Sequence, residues 1–360
     1  MSPNATGREA ALEAAAPATV SRKADHIRIN LEEDVSAKGV DAGFDRLRFV
    51  HCALPEIDLQ DVDLSTTFLG HPLRAPLLIS CMTGGTDQAQ RINTRLAVAA
   101  QQRGLAMGLG SCRVLLEEPD VLPTFDMRKV APDIVLLANL GAVQLNRGVS
   151  AEDCKRLLGM LRADALVLHL NPLQEALQPE GDTCFAGLLP RIEALCRDLE
   201  FPVVVKEVGW GIDAALVRRL LDLGVSAVDV AGAGGTSWSE VERHRMSDQR
   251  RAEVASAFAG WGIPTAVAIT DARAAAPEAE LVASGGVRNG VDVATAIALG
   301  ANVVGVAGPL LRAADRGAAE LSDSIDVTLE QLRLAMFCIG ARTVDELRGT
   351  RRLVAKGPAA

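Results

Sequence analysis

Residues 165–175 read ALVLHLNPLQE. An apolar, β-prone run passes without a break into His169, Asn171, Gln174 and Glu175. The run is continuous rather than alternating, as expected of a strand buried on both faces. Polar chemistry at the C-terminal end of such a strand is how a (β/α)8 barrel presents its active site.

Seven further runs extend the pattern: Ala75–Met82, Leu105–Leu109, Ile134–Leu140, Pro202–Val208, Ala227–Ala231, Leu281–Ser284 and Asn302–Ala307. In most units they begin roughly 25–37 residues apart, one strand and one helix each. Helical stretches fall between them. Ala89–Arg103 ends at Gly104, and Ala151–Arg162 follows Ser150. Asp213–Leu223 ends at Gly224, and Asp292–Leu299 ends at Gly300. A capping residue in front and a glycine behind is ordinary helix punctuation. The longest gap, between 231 and 281, reads as a polar loop over Ser237–Arg251 and then a helix. The expected fold class is α/β, a TIM (β/α)8 barrel over 61–345 with an N-terminal arm over 21–60. Residues 1–20 read as a disordered tail and 346–360 as a loose C-terminal one.

Composition narrows the function classes. The chain of 360 residues is 49% apolar but only 3% aromatic, with no tyrosine, so the core must be built from Leu, Val, Ile and Ala. A formal charge of −9 makes nucleic acid a poor partner. No stretch of about 18 apolar residues is present, so no membrane span is expected. The Ala-rich N-terminus carries Glu9 and Glu13 and does not read as a secretory signal. Seven cysteines without paired metal-type spacing read as reduced thiols of a cytoplasmic protein.

Several constellations carry chemistry. Gly285, Gly286, Val287 and Arg288 follow the seventh run, and Ala307 and Gly308 follow the eighth. Those loops are where many barrels hold a phosphate, because glycines let backbone amides approach an anion. Two ordinary glycine turns are the plain alternative. Gly232–Trp238 (GAGGTSW) follows the sixth run and brings Thr236 within reach of the same place. Lys206 sits inside PVVVKEV, where a buried lysine either faces a polar site or pairs with Glu207 or another carboxylate. Met82-Thr83-Gly84-Gly85 permits a flat ligand against backbone, and by itself is equally a turn. Glu175 beside Gln174 is too little for an all-protein metal cage but suits Mg²⁺, which often takes one carboxylate plus substrate phosphates. A carboxylate favourably placed at a helix start is the alternative. Arg22, Lys23 and Arg28 form a basic arm in an acidic chain, and Arg113 follows GLGSC. Together these cations suit a diphosphate; alone the arm is a solvated charge run.

Taken together, the segments RKADHIRI (22–29), MTGG (82–85), GLGSCR (108–113), NLG (139–141), HLNPLQEALQPEGD (169–182), VKEVGWG (205–211), AGAGGTSW (231–238) and SGGVRNG (284–290) resemble the type 2, flavin-dependent isopentenyl-diphosphate Δ-isomerases. The resemblance implies an FMN-bound barrel interconverting isopentenyl and dimethylallyl diphosphates in isoprenoid biosynthesis. It also implies a Mg²⁺ requirement, flavin reduced by NADPH and used as the acid–base, and a tetrameric or octameric assembly. Carried over by motif, Cys81, Met82, Thr83, Ser111, Asn139, Lys206, Thr236, Gly285, Gly286, Val287, Arg288, Ala307 and Gly308 contact FMN. Arg22, Lys23, Ser111, Cys112, Arg113, His169, Asn171 and Gln174 contact substrate, with Gln174 and His169 nearest the chemistry, and Glu175 ligates Mg²⁺. Cys81 departs from the small residue often found before MTG.

Two other readings compete. An FMN-dependent 2-hydroxy acid oxidase or dehydrogenase shares the barrel but relies on tyrosines and a late histidine; this chain has no tyrosine and its last histidine is His244. A non-enzymatic flavin-binding barrel has no need for the basic arm, Arg113 and Glu175 to converge.

Overall fold

The computed structural model describes residues 18–357. Eight parallel strands close into a barrel in chain order. They are β1 (Leu77–Ile79), β2 (Ala106–Gly108), β3 (Leu136–Gly141), β4 (Ala165–Leu170), β5 (Val203–Glu207), β6 (Ala227–Asp229), β7 (Leu281–Ser284) and β8 (Val303–Val306). Each falls within one of the eight apolar runs, except that β3 extends one residue further to Gly141, and β8 pairs back onto β1. The fold is a TIM barrel.

Side chains on a strand point to alternate faces, so each buried run supplies two cores. Leu78, Ala106, Leu137, Val167, Val204, Ala227, Val282 and Val303 form a small interior cluster. Their neighbours Leu77, Met107, Leu136, Leu166, Val205, Val228, Leu281 and Val304 join the larger cluster beneath the helices. One pleat further on, the interior positions become Ser80, Asn139, His169, Lys206, Asp229, Ser284 and Gly305. The register confirms one level: His169 pairs with Lys206, Lys206 with Asp229, and Ser284 with Gly305. An apolar barrel therefore ends in a polar floor at its C-terminal mouth.

The opposite end is plugged. The antiparallel pair Thr66–Phe68 and His71–Leu73 inserts Phe68, fully buried, and Leu73 into the interior cluster. Burying one such aromatic stabilises by about 1.5–3 kcal/mol.

Four helices frame the mouth: α1 (Ala18–Glu32), α2 (Pro172–Leu177), α3 (Trp238–Arg245) and α4 (Gly308–Arg316). The expected tail over 1–20 falls mostly outside the described residues, and from Ala18 onward the chain is already α1. The polar loop expected over Ser237–Arg251 is instead α3 followed by a helix over Gln249–Ser256. Trp238 and Val241 of α3 pack on Ile29 and Val35, so the apolar partner of this segment comes from the arm some 200 residues away. The C-terminal tail is not loose either. Leu353–Ala355 pairs antiparallel with Leu47–Phe49, joining the segment after the barrel to the segment before it.

Candidate active site

A cavity of about 590 Å³ opens at the C-terminal mouth. Its wall includes every site residue expected from the sequence except Cys112. The Cys112 thiol turns into the core, donates to the Gly110 carbonyl at 3.1 Å, and is pushed up to about 12 by burial. Only its backbone matters to the mouth, through an amide donated to the Asn139 carbonyl at 2.7 Å.

One side of the cavity is a glycine cradle. Gly285 and Gly286 have φ of +101° and +71°, the left-handed region that favours glycine. A Cβ on Gly285 would lie 2.0 Å from the Gly232 carbonyl oxygen, so the loops after β6 and β7 touch backbone to backbone. Beside them α4 begins at Gly308 with no side-chain cap, the arrangement that receives anions. Val287, Thr236, Ala307 and the Cys81–Thr83 segment complete this wall. Arg288 reaches the cavity edge, but its guanidinium turns outward to Asp45 (3.1 Å) and Asp292 (3.3 Å), and its amide is taken by Asp292.

The floor is a buried polar chain. His169 Nδ1 lies 2.7 Å from Asn139 Oδ1. Burial, with Lys206 and Arg22 adding to it, holds the His169 imidazole down to about 4, so it is neutral near pH 7. Lys206 donates to the Glu207 carbonyl at 2.8 Å and lies 3.5 Å from Asp229 Oδ2. The carboxylate pairing with Lys206 is thus Asp229, not Glu207. Glu207 faces away and accepts the Gly209 and Trp210 amides, and burial raises it to about 7. The Ser80 hydroxyl is buried in the floor with no hydrogen-bond partner. An orphaned donor, a buried ammonium, a glycine cradle and an uncapped helix start fit a flat heterocycle carrying a phosphate.

The facing side is cationic. The helical period of α1 sends Arg22, Lys23 and His26 to the cavity, whereas Arg28 is about half exposed and pairs with Asp25 and Glu32. Lys23 donates to the Ser111 carbonyl at 3.1 Å, and burial, aided by Arg22 and Arg113, pushes its ammonium down to about 8. The Arg22 guanidinium is also lowered, by burial and then by Arg113. Arg113 pairs with Glu117 at 3.4 Å, whereas among the described residues Arg22 and Lys23 make no ion pair within 4 Å, which leaves two partly buried cations able to receive a diphosphate.

The segment HLNPLQE forms the end of β4 and α2. Asn171 Nδ2 donates to Gln174 Oε1 (3.1 Å) and Glu175 Oε1 (2.8 Å), and its own Oδ1 is buried without a partner. Glu175 Oε2 accepts the Asp182 amide at 2.6 Å. Among the described residues no three His, Cys, Asp or Glu side chains gather as metal ligands. Glu175 and the free Asn171 oxygen nonetheless suit a hard cation that takes its remaining ligands from substrate and water.

Two residues escaped the sequence reading. Glu242 lies in the Ser237–Arg251 stretch, whose polar composition predicts a loop, yet its carboxylate accepts from His26 (3.0 Å), Gln174 (3.0 Å), Gln178 (2.7 Å) and Arg245 (2.6 Å). Asp229 was hidden inside the apolar run AVDVA. The signal for both is a carboxylate at an inward-facing or helix-face position, visible only once the fold is known.

Known proteins with this pattern are numerous. The FMN-dependent dehydrogenase family model matches residues 16–118 and 182–355. The isopentenyl-diphosphate delta-isomerase of Nostoc sp. is 53% identical over 92% of this chain and 94% of its own length. That of Rickettsia bellii is 50% identical over 91% of this chain and 96% of its own. Among solved structures, a flavocytochrome b2 variant with sulfite bound aligns over 92% of this chain and 82% of its own at TM-score 0.65 and 20% identity. A mandelate oxidase variant aligns over 95% and 99% at TM-score 0.63 and 21% identity. The structural likenesses speak for the barrel, and the relatives sharing half the sequence speak for the family. The cavity's cationic arm and its HLNPLQE wall are therefore those of a chain that belongs to the isopentenyl-diphosphate delta-isomerases, within the FMN-dependent dehydrogenase family.

Proposed function

We propose that this chain interconverts isopentenyl and dimethylallyl diphosphates with FMN and Mg²⁺ in the cavity and NADPH as the outside reductant of the flavin. The observation that carries the reading is the convergence of Arg22, Lys23 and Arg113 with the HLNPLQE side chains opposite the glycine cradle, in one cavity.

When bound and reduced, the flavin supplies the electron-rich, protonatable surface that a redox-neutral shift of an unactivated double bond needs. The residues do the rest. The Gly285–Gly286 cradle and the start of α4 hold the cofactor's phosphate, while Lys206 and Asn139 meet its ring system. Arg22, Lys23 and Arg113 take the substrate diphosphate through charge-assisted hydrogen bonds. Glu175 and Asn171 would hold Mg²⁺, which would neutralise charge on that diphosphate. Gln174, pinned by Asn171 and Glu242, and neutral His169 place the alkene and keep its surroundings free of bulk water. The protein is cytoplasmic and assembles as a homo-tetramer or homo-octamer.

An anaerobic assay with isopentenyl diphosphate, FMN, Mg²⁺ and a reductant tests this. Dimethylallyl diphosphate should form without stoichiometric loss of reductant. One NADPH consumed per product would make the protein a reductase and end this reading.

A further inference from the structure

We propose that Asp229 is the counter-ion of Lys206, a positioning residue that lowers the reduction potential of the bound flavin by cancelling the lysine's charge. The proposal rests on the reading of the barrel mouth as an FMN site. Lys206 lines the cavity, whereas Asp229 does not; it lies beneath the floor and is 2% exposed. Any effect of Asp229 on a ligand above must pass through its neighbours.

Its geometry is that of a fixed charge. Asp229 Oδ1 accepts from the Ser284 hydroxyl at 2.7 Å and from the Ala231 amide at 3.1 Å. Its Oδ2 receives no hydrogen bond and lies 3.5 Å from Lys206 Nζ. Two donors from β7 and the β6 turn therefore aim the second oxygen at the ammonium. The ammonium is anchored in turn by the Glu207 carbonyl, leaving its remaining capacity for the cavity.

No other charge on the floor performs this cancellation. His169, on the next strand, can carry only positive charge and so cannot offset the ammonium, and the Glu207 carboxylate faces outward onto Gly209 and Trp210. Asp229 is thus the carboxylate that faces Lys206. A lone buried ammonium favours the electron-rich form of a ring above it, because low local polarisability leaves its field unscreened. The adjacent carboxylate removes most of that field. The reduced flavin is then left electron-rich and basic, as a redox-neutral acid–base role requires, while Lys206 still supplies a directional hydrogen bond.

The sign follows directly. Asp229→Asn keeps the shape and leaves Lys206 uncompensated, so the potential rises. Lys206→Met leaves the carboxylate alone, so the potential falls, and the double variant returns towards the parent. A purely structural role for Asp229 loosens FMN or lowers Tm without these opposed shifts.

The test is anaerobic reductive titration of the FMN-loaded protein against a reference dye, with bound flavin counted by absorbance. In Asp229→Asn the reduced-to-oxidised ratio at a fixed potential should increase at least tenfold, about 30 mV for a two-electron couple. Lys206→Met should shift it by a similar factor the other way, and this arm stands if Asp229→Asn does not fold. Bound FMN with an unmoved or lowered potential in Asp229→Asn, or an unmoved one in Lys206→Met, overturns the proposal. A parent protein that takes up no FMN overturns the flavin-site reading itself and the proposal with it.

Discussion

His26 Nε2 on the N-terminal helix lies 3.0 Å from Glu242 Oε1 on the barrel, and the same oxygen accepts from Gln174 and Gln178. One buried carboxylate thereby joins the arm, the HLNPLQE helix and α3. Burial alone would raise Glu242, but hydrogen bonds from His26, Gln174 and Arg245 outweigh it and hold it down to about 2.

Glu242→Gln should cost about 1.5–3 kcal/mol, because His26, Gln174, Gln178 and Arg245 lose a shared charged acceptor while Arg245 keeps Glu180 at 2.9 Å. Denaturant unfolding measures the loss. Limited proteolysis at Arg22 and Lys23 should accelerate as α1 undocks. The parent's share of stability from this group is present above pH 4.5, the ordinary glutamate value, and is lost as pH falls towards 2. The variant should lack that acid limb. Equal unfolding midpoints for the two proteins would show that the cluster contributes nothing net.

Lys23 should impose an alkaline limb on kcat/KM. Its folded-state pKa is lowered to about 8, so the free enzyme carries this cation below that pH and sheds it above. Lys23→Arg should keep the charge and move the limb upward by more than about one unit, since arginine stays protonated. Arg22→Ala and Lys23→Ala should each lower kcat/KM on the order of 10- to 100-fold while FMN stays bound. A flat profile from pH 7 to 10 in the parent would remove Lys23 from the diphosphate site.

Glu175→Gln separates two roles that the structure superimposes. Glu175 clasps Asn171 and the Asp182 amide, and under the proposed function it also holds Mg²⁺. A neutral amide is a poor Mg²⁺ ligand, so the metal concentration for half-maximal rate should rise at least tenfold. Gln174→Ala should instead cut turnover at saturating metal. A Mg²⁺ titration matching the parent, with a lowered Tm, would make Glu175 a loop clasp only.

Arg128 is the corresponding test at the other end of the barrel. Its guanidinium donates to the Arg162, Pro132 and Ile134 carbonyls and to Asp164 at 2.7 Å. Arg128→Ala should destabilise by about 3–5 kcal/mol, leaving Asp164 without its partner. FMN affinity per folded molecule should be unchanged, because the residue lies at the starts of β3 and β4. Parallel loss of FMN affinity would mean that the two ends are coupled.

The strands were legible because a parallel barrel buries both faces, which leaves eight uninterrupted apolar runs. The motifs were legible because glycines, Lys206 and HLNPLQE break those runs at their C-terminal ends. Other features depend on segments far apart in the chain. Trp238 and Val241 read as part of a polar stretch because their apolar partners are Ile29 and Val35. Asp229 is one charge in a β-prone run, and only barrel register reveals that it faces Lys206 rather than a helix. Cys112 sits in a site motif but one residue out of phase with the cavity. The strand Leu353–Ala355 is three residues long and exists only against Leu47–Phe49.

That last pairing sets an order of assembly. A chain is made from its N-terminus, and the strand that continues the cationic arm emerges early. Among the described residues its strand partner lies at 353–355, after every barrel strand in the chain. The strand that follows α1 thus waits for a partner from the far end of the barrel sequence. A nascent chain can therefore close its eight-stranded barrel before residues 47–49 meet their partner strand, while α1 docks separately through His26 and Glu242.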